Sequence, residues 1–574
     1  MPASSPSLVL PWNVAFLHLP PFNASLNSLP APPPPGSSRR QNRPKRPKSP
    51  SNPELSDRFL ARSGSKQEVC KKNDPRMKSI LVALALFILV PVLTLAQEKK
   101  AAYDSLTDRV LSIQGMQEDL RYMRHVMEAV HPGLYRYTPK PVMDQRLDSF
   151  YTQLTGDLPY YDYYRLLSAL VAGVRCAHTA ITPGPDWGSH FTKNTSMFPF
   201  TVHGIHDKLY VTLNLTRDTT IKPGYEILTI NGQPIKEIVQ FIFNHSWSDG
   251  YNTTNKQQRL NSGSFGMLYY TLIARPDSFV VTCKDLSGNE RKAKYPALTF
   301  QASMANLRQN PVNKEIIRLY VDRKRKDLDL DIKKDINTAV LNVRTFGGKA
   351  AGDIGSFLPK AMKELQKKKI GHLVIDLRSN PGGWDSAGVI LFTYLINKPS
   401  RYYIRQHTIT DTSQYLSLSD LSPEEIKNAA NELIAEKDGT FSLKAAAAAG
   451  LSLQQPKLNH YTGKVYFLMN GASASTTSEL LAAAHANQLG TFIGEEAGGS
   501  YEGGNGGSFI GLVLPHSKIK ISIPLVYYDN MTRPPFKKGR GLMPDHDVPD
   551  NLDNILKGID TQKQFAFDLI RRNP

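Results

Sequence analysis

The spacing of apolar residues changes along the chain and divides it into regions of different type. Over residues 97–185 apolar positions recur every three or four residues, as in LRYMRHVMEAVHPGLY and YYRLLSALVAGV, which predicts an N-terminal helical domain. Residues 195–298 alternate apolar and polar positions between turn residues, as in FPFTVHGIHDKLYVTLNL, which predicts a β-rich domain. From 336 to 565 short apolar runs alternate with helical patterns, so we expect a mixed α/β core of βαβ units.

Segments of different composition lie between and within these regions. Residues 299–335 are charged and predict a linker. Residues 400–460, which include LKAAAAAG, predict an insertion on the surface of the α/β core. The regions together therefore predict about three domains, which is the number expected for a chain of this length.

The N-terminal part of the chain differs from the rest. Residues 1–76 are rich in Pro, Ser, Arg and Lys and cannot bury a core, which indicates a disordered extension or a mis-assigned start. Residues 77–96 combine a Lys, an apolar run and the small-residue ending TLA, which is the pattern of a secretory signal peptide. We therefore expect an exported, periplasmic or extracellular protein that begins at Gln97 and keeps no stable membrane span after cleavage.

The charge distribution bears on possible partners, and the cysteine content bears on disulfide formation. The formal charge of +19 includes a net +9 in residues 1–96, which leaves +10 for the remainder. No basic stripe with interleaved aromatic residues is present, so nucleic acid is not an expected partner. Cys176 and Cys283 follow the signal segment, and the sequence is compatible with either a disulfide or two buried thiols.

Small polar residues crowd the start of an alanine-rich helix in LMNGASASTTSELLAAAHANQ, residues 468–488. The string TTSE predicts a capping box in which Thr476 is the N-cap and Glu479 is its partner. Ser475 would then lie just outside the helix, on the turn that follows the buried strand KVYFLM. Free amides and the positive end of the helix dipole favour an oxyanion there, so Ser475 is a candidate nucleophile as well as a candidate capping residue.

Four motifs occur in the order found in the tail-specific, or carboxyl-terminal processing, serine proteases, and the chain resembles that family over residues 105–560. The motifs are KPGYEILTINGQPI, GHLVIDLRSNPGGWDSAGVILFTYL, VYFLMNGASASTTSELLAAAHANQLGTFIGEEAGG and GLMPDHDV. The segments HPGLYRYTPK and CAHT are similar to the secreted bacterial branch. The resemblance implies a serine peptidase that acts on protein or peptide substrates and has a PDZ-like domain at 195–298.

The resemblance also implies a role for individual residues. The nucleophile of the family lies 19 residues before the glycine of a Gly-Glu loop, as Ser475 lies before Gly494. Ser473 is two residues out of this register, and Ser478 falls inside the first helical turn. Gly382, Gly383 and the amide that follows the nucleophile, that of Thr476, would then form the oxyanion hole. The alternative for NPGG is an ordinary turn between strand and helix.

This chain lacks the lysine that serves as general base in the better-known branch of the family. That branch has a lysine 25 residues after the serine, where this chain has Ser500, and no lysine lies between 465 and 517. The branch that resembles the tricorn protease core takes a histidine from the end of the helical domain, and His178 stands at that place. His485 lies ten residues of helix from Ser475, about 15 Å along the axis, and is predicted to be a surface residue.

An acidic residue should orient the histidine in such a mechanism. Glu495, Glu496 and Glu502 are candidates, of which we select Glu495, and the alternative is that all are ordinary loop charges. The acid expected before the closing Pro-Asp motif is missing from PPFKKGRG.

The sequence thus predicts an exported serine peptidase that needs no metal or organic cofactor. A non-catalytic peptide- or ligand-binding protein on the same fold and a secreted esterase are the alternatives. The sequence leaves the substrate and the oligomeric state open.

Overall fold

The computed structural model describes residues 107–185, 187–323 and 325–573. The segment 1–76, the signal segment 77–96 and the expected N-terminus at Gln97 lie outside these ranges. No helix within the ranges combines the length and the apolar character required to cross a bilayer.

Helices dominate the first region, as the apolar spacing predicts. The elements are β1 Val110–Leu111, α1 Ile113–Val130, α2 Lys140–Gln153, β2 Leu158–Pro159, α3 Tyr160–Ala172, β3 Ile181–Thr182 and α4 Trp187–Asn194. The side chain of Ser112 caps α1 by accepting from the Gly115 amide. Met116, Met123 and Val130 lie on one face of α1 and are fully buried, which is why its spacing follows the helical period.

The second region is rich in antiparallel strands. Its elements are β4 Ser196–Met197, β5 Phe200–Ile205, β6 Lys208–Asn214, β7 Glu226–Ile230, β8 Gln233–Pro234, α5 Ile235–Asn244, α6 Thr254–Arg259, α7 Phe265–Leu272, β9 Ser278–Lys284 and β10 Glu290–Pro296. The main sheet has the order β10-β9-β7-β6-β5. In β9 Phe279, Val281 and Cys283 point into the core and alternate with more exposed residues, which explains the period of two in the sequence.

The charged segment 299–335 contains more structure than a linker. It follows β11 Leu298–Thr299 and includes α8 Phe300–Gln309, α9 Lys314–Ile316 and β12 Leu328–Lys333. β12 is added antiparallel to the edge of the α/β sheet. Its residues are half-buried because it is an edge strand, so its composition does not distinguish it from a connecting loop.

The α/β core contains the strand–helix alternation predicted from residue 338 onward. Its elements are β13 Thr338–Val343, α10 Gly348–Lys367, β14 His372–Asp376, α11 Asp385–Thr393, β15 Tyr403–Thr408, α12 Pro423–Glu432, β16 Leu433–Ala435, β17 Phe441–Leu443, β18 Lys464–Met469, α13 Thr476–Ala486, β19 Thr491–Gly494, β20 Asn505–Val513, β21 Lys520–Asn530, β22 His546–Asp547, α14 Leu552–Lys557 and α15 Thr561–Arg572.

One sheet of the core has the order β12-β13-β14-β18-β19-β22 and is parallel from β13 onward. Helices α10, α11 and α13 pack on one face of this sheet, and α15 packs on the other. The strands are buried on both faces, which explains their continuous apolar runs. The carboxyl ends of β14 and β18 lead directly into the NPGG and serine turns.

A second sheet has the order β16-β17-β15-β21-β20. The segment 400–460 supplies β15, and Tyr402 and Tyr403 are fully buried, so this segment is not confined to the surface. The short strand β3 of the helical region pairs with β21, with Ile181 opposite Ile521. This pairing carries the residues just before β3 into the α/β core.

Candidate active site

The turn between β18 and α13 holds Ser475 in an unusual backbone conformation. Ser475 is the N-cap of α13 with φ 55° and ψ −134°, and its side chain makes no capping hydrogen bond. Such a conformation costs a non-glycine residue on the order of 1–3 kcal/mol, so the surrounding structure must impose it. A Cβ on Gly382 would lie 2.7 Å from Ser475 Cβ, which shows how closely the NPGG turn approaches the serine.

The predicted capping box at Thr476 is wrong. Helix α13 starts at Thr476 itself, and the Thr476 hydroxyl donates to the Gly383 carbonyl oxygen at 2.8 Å. The Glu479 carboxylate accepts from the Tyr403 hydroxyl instead of an N-terminal amide. Tertiary contacts with the NPGG turn and with β15 thus replace the local hydrogen bonds that the sequence pattern favours.

The neighbouring serines are engaged in backbone contacts. Ser473 is fully buried, donates to the Leu377 carbonyl oxygen at 2.9 Å and accepts from the Asn470 amide at 3.1 Å. The Ser478 hydroxyl donates to the Ser475 carbonyl oxygen at 2.8 Å. Ser475 therefore has the hydroxyl that is available for chemistry on this turn.

The NPGG turn supplies fewer free amides than expected. The Gly382 amide donates to Asn380 Oδ1 at 3.0 Å, so it is already occupied. In the described part of the chain the amides of Gly383 and Thr476 have no acceptor. Gly383 has φ 144°, and a Cβ there would lie 2.2 Å from the Phe346 carbonyl carbon, so only glycine fits. Gly383 and Thr476 therefore remain as the two amides without an acceptor on these adjoining turns.

His178 lies between α3 and β3 and reaches the core through the β3–β21 pairing. Its ring stacks on Phe509 of β20 with 5.8 Å between the ring centroids. The Nδ1 atom is buried and has no hydrogen-bond partner. Burial lowers the pKa of His178 below its usual value, against the opposing charge of Asp249, so the imidazole is neutral at neutral pH.

The carboxylate beside His178 is that of Asp249, which sequence reasoning missed. Asp249 Oδ1 accepts from the Ala177 amide at 2.7 Å, and the Gly250 amide donates to the Arg175 carbonyl oxygen at 2.9 Å. These bonds fix the backbone that carries His178. Burial raises the pKa of Asp249. In the sequence Asp249 belongs to SWSDGYN, an ordinary turn pattern between α5 and α6, and no local signal marks it.

The loop 498–504 connects the histidine segment with the nucleophile helix. The Gly498 amide donates to the Ser473 carbonyl oxygen at 2.9 Å. A Cβ on Gly499 would lie 2.1 Å from Ser478 Oγ and 3.7 Å from Asp249 Oδ2. The first turn of α13 and the Asp249 carboxylate therefore both lie close to Gly499. The side chains of Ser475 and His178 are not hydrogen-bonded to each other.

Glu495 is not the partner of His178. Its carboxylate accepts from Gln258 Nε2 at 3.1 Å, and burial together with the charges of Asp550 and Asp547 raises its pKa to about 7. Its backbone continues β19, and its side chain is directed toward these acidic groups and α6. The structure thus replaces Glu495 by Asp249 as the acid next to the histidine.

The other two candidate glutamates are also committed elsewhere. Glu496 is nearly fully buried, forms an ion pair with Arg540 and accepts from the Gly541 amide at 2.7 Å. Glu502 accepts from the Gly539 amide at 2.8 Å and lies near Arg136. Both therefore fix the segment before the Pro-Asp motif.

A second buried histidine links the two motifs HPGLY and CAHT. His131 Nδ1 accepts from the Gly133 amide at 3.0 Å, so Nε2 carries the proton and donates to Thr179 Oγ1 at 2.7 Å. Burial lowers the pKa of His131 to about 4. His131 thus holds the residue that follows His178.

The structure also describes His485 and the two cysteines. The prediction of a surface position for His485 is wrong, because His485 is half-buried and its Nδ1 atom is hydrogen-bonded to the Tyr501 hydroxyl at 2.7 Å. Cys176 and Cys283 are buried free thiols. Across the residues that the structure describes, no group of His, Cys, Asp and Glu side chains has the arrangement of a metal site.

Comparison with known proteins identifies one matching family. The sequence model of Peptidase family S41 matches residues 337–548. No curated protein sequence matches the chain significantly.

Solved structures extend the likeness over most of the chain. Mature CPAF is 15% identical with a TM-score of 0.54, over 79% of this chain and 96% of that chain. Mature CPAF complexed with lactacystin is 15% identical with a TM-score of 0.55, over 80% of this chain and 98% of that chain. The photosystem II D1 C-terminal processing protease is 13% identical with a TM-score of 0.35, over 78% of this chain and 98% of that chain. At these identities the likeness to CPAF concerns the fold.

Proposed function

We propose that this chain, a serine peptidase of family S41, is an exported enzyme that uses Ser475 as its nucleophile and His178 as its general base on protein or peptide substrates. The observation that carries the assignment is the Ser475 turn. It combines a strained N-cap, a hydroxyl without a capping bond and the free amides of Gly383 and Thr476.

The reaction would follow the acyl-transfer course of serine hydrolases. Ser475 Oγ attacks the scissile carbonyl carbon while His178 accepts its proton. The amides of Gly383 and Thr476 stabilise the oxyanion of the tetrahedral intermediate, where one such donor contributes on the order of 10²–10³ in rate. The imidazolium then protonates the leaving amine, and a water molecule deprotonated by His178 hydrolyses the acyl-enzyme ester.

Three observations support His178 as the base. The ring is neutral at neutral pH because burial lowers its pKa, so it can accept a proton. Asp249 lies beside it and would stabilise the imidazolium that forms during the reaction. No lysine is present between 465 and 517 to take this role. We therefore assign Asp249 as the residue that positions His178, in place of Glu495.

The antiparallel sheet of residues 200–296 is proposed to present substrates as a PDZ-like domain. It ends in β5 and β10 as edge strands, and an extended peptide can add to such an edge through main-chain hydrogen bonds. Together with the signal segment 77–96, this supports a periplasmic or extracellular peptidase that engages chain ends.

One observation favours a second function, that of a non-catalytic peptide-binding protein. Ser475 and His178 are not hydrogen-bonded, so the reactive pair is not assembled in the free protein. In the peptidase this bond would form when substrate binds, since catalytic hydrogen bonds are often long in free enzymes.

A fluorophosphonate probe separates the two functions. We expect the probe to label wild-type protein, with Ser475 as the modified residue in peptide mapping, and to label His178→Ala at least 100-fold more slowly. Ser478→Ala is the matched control because it keeps Ser475 and removes a neighbouring hydroxyl. Absence of labelling in wild-type protein would favour the binding protein, and labelling of a different serine would overturn the assignment.

A further inference from the structure

Two carboxyl groups lie behind the proposed oxyanion donors, and the mechanism above does not use them. Asp385 is the first residue of α11, and Glu479 lies in α13. The Tyr528 hydroxyl donates to Asp385 Oδ2 at 3.0 Å, and the Tyr403 hydroxyl donates to Glu479. Within the described residues neither carboxyl group has an ion-pair partner, although Glu479 is buried and Asp385 is largely so.

Asp385 is connected to the NPGG turn through a single hydroxyl. Thr476 Oγ1 lies 2.8 Å from the Gly383 carbonyl oxygen and 3.3 Å from Asp385 Oδ1. The amide at the other end of the same peptide unit, that of Trp384, donates to the Phe346 carbonyl oxygen at 2.8 Å. The peptide that follows Gly383 is thus held at both ends. The peptide that carries the Gly383 amide is held by the Phe346 amide, which donates to the Gly382 carbonyl oxygen at 2.9 Å. The Thr476 hydroxyl therefore constrains one of the two peptide units that meet at Gly383.

The two distances show which acceptor the Thr476 hydroxyl favours. The bond to the Gly383 carbonyl oxygen is the shorter one, and the contact with Asp385 Oδ1 is the longer one. An ionised carboxylate is a stronger acceptor than a protonated one, so loss of the Asp385 proton should draw the Thr476 hydrogen away from Gly383.

We propose that Thr476 is a positioning residue for the oxyanion hole and that the protonation of Asp385 decides how firmly it holds Gly383. The proposal rests on the proposed function, because it assigns the Gly383 amide to the oxyanion. When Asp385 loses its proton, the Thr476 hydrogen is divided between two acceptors and the Gly383 peptide is held less firmly. The rate should then fall as pH rises through the pKa of Asp385.

The surroundings of Asp385 support this direction. Burial raises the pKa of Asp385 to about 6. The groups that face it are Glu479, Tyr402, Tyr403 and Tyr528, and Asp249 acts on Glu479 from the far side. Burial, strengthened by the charge of Asp385, raises the pKa of Glu479 well above its usual value, and the three tyrosines also have raised pKa values. The three tyrosines stay neutral near pH 6 and the raised pKa of Glu479 favours its protonated form, so Asp385 is the group in contact with Thr476 whose charge changes there.

Substitutions can distinguish the effect of the Thr476 hydroxyl from that of the Asp385 carboxyl group. With fluorescein-labelled casein as substrate, Thr476→Val should lower kcat about tenfold or more with KM within about twofold, since a poorly oriented donor weakens transition-state binding. Thr476→Ser keeps the hydroxyl and should retain most of kcat. Asp385→Asn stays neutral, so it should keep its rate between pH 6 and 8, where wild type declines severalfold. Glu479→Gln is the matched carboxyl variant and should leave the wild-type decline in place.

A readout that needs no activity distinguishes this proposal from the proposed function. In Ser475→Ala protein, infrared difference spectra should show a carboxylic acid band that titrates near pH 6 and is lost in Asp385→Asn. Full kcat in Thr476→Val, or an unchanged pH decline in Asp385→Asn, would overturn the positioning role. A wild type that is neither labelled nor active would overturn the proposed function, and the infrared titration would still decide the protonation of Asp385.

Discussion

At the scale of one residue, Ser475 combines an unfavourable backbone conformation with a hydroxyl that makes no capping hydrogen bond. Its φ is 55°, and the NPGG turn packs closely against it. The family resemblance, through the spacing to Gly494, predicts Ser475 as the nucleophile from the sequence. The role of Thr476 could not be predicted, because its partner Gly383 lies 93 residues away and the local string TTSE favours a different hydrogen bond.

Substituting Ser475 should show how much the backbone conformation of this residue costs in stability. Ser475→Gly should raise the free energy of unfolding by about 1 kcal/mol, since glycine adopts this backbone conformation without strain. Ser475→Ala, the matched control, keeps a Cβ and should leave stability within about 0.5 kcal/mol of wild type. Both variants should lose peptidase activity. Urea unfolding checks the prediction, and equal stabilities for the two variants would show that the turn is not strained.

The negative charge of Asp249 beside His178 can be tested by a single substitution. In Asp249→Asn the amide oxygen can still accept from Ala177, whereas the negative charge beside His178 is lost. We expect kcat/KM to fall about 100-fold or more and its acid limb to move to lower pH, because the charge of Asp249 raises the pKa of His178. Glu495→Gln serves as control and should leave the acid limb unchanged. If the two variants exchanged these phenotypes, Glu495 would be the orienting acid after all.

At the scale of secondary-structure elements, two connections fix the position of His178. Strand β3 joins β21, and the hydrogen bond from His131 to Thr179 joins the end of α1 to the same segment. The helices and parallel strands could be predicted because their apolar periods are strong. The positions of β12 and β15 could not, because an edge strand and a strand within an irregular segment have no period that separates them from loops.

The His131 link should make stability depend on pH. Its folded pKa of about 4 lies below the unfolded value of 6.5, so between these values the unfolded chain binds more protons. The free energy of unfolding should therefore fall by about 3 kcal/mol as pH drops from 6.5 to 4, and this contribution should level below pH 4. In His131→Gln the dependence should be weaker by that amount.

Urea unfolding at pH 7 and pH 4 checks this value. His206→Gln is the control, since His206 is exposed in a turn between β5 and β6 and should keep the wild-type pH dependence. An unchanged dependence in His131→Gln would show that His131 is not held neutral in the folded protein.

For the whole molecule, the site collects residues from distant parts of the chain. His178 follows the helical region, Asp249 comes from the β-rich region, and Gly383 and Ser475 come from the α/β core. The family resemblance could propose His178, Gly383 and Ser475 as site residues because each belongs to a motif. Asp249 belongs to none, and tertiary hydrogen bonds between residues 249–250 and the segment 175–177 place it beside the histidine.

The prediction that the molecule is exported depends on residues 77–96. The apolar run followed by TLA predicts that the secretion machinery cleaves after Ala96 and that the exported chain begins at Gln97. Terminal sequencing of protein recovered outside the cytoplasm of an expressing bacterium would check this. Ala96→Tyr places a large residue where the cleavage site needs a small one, so it should leave the leader attached, whereas Ala96→Ser should be processed normally. Exported protein that still carries residues 1–76 would contradict the predicted signal segment.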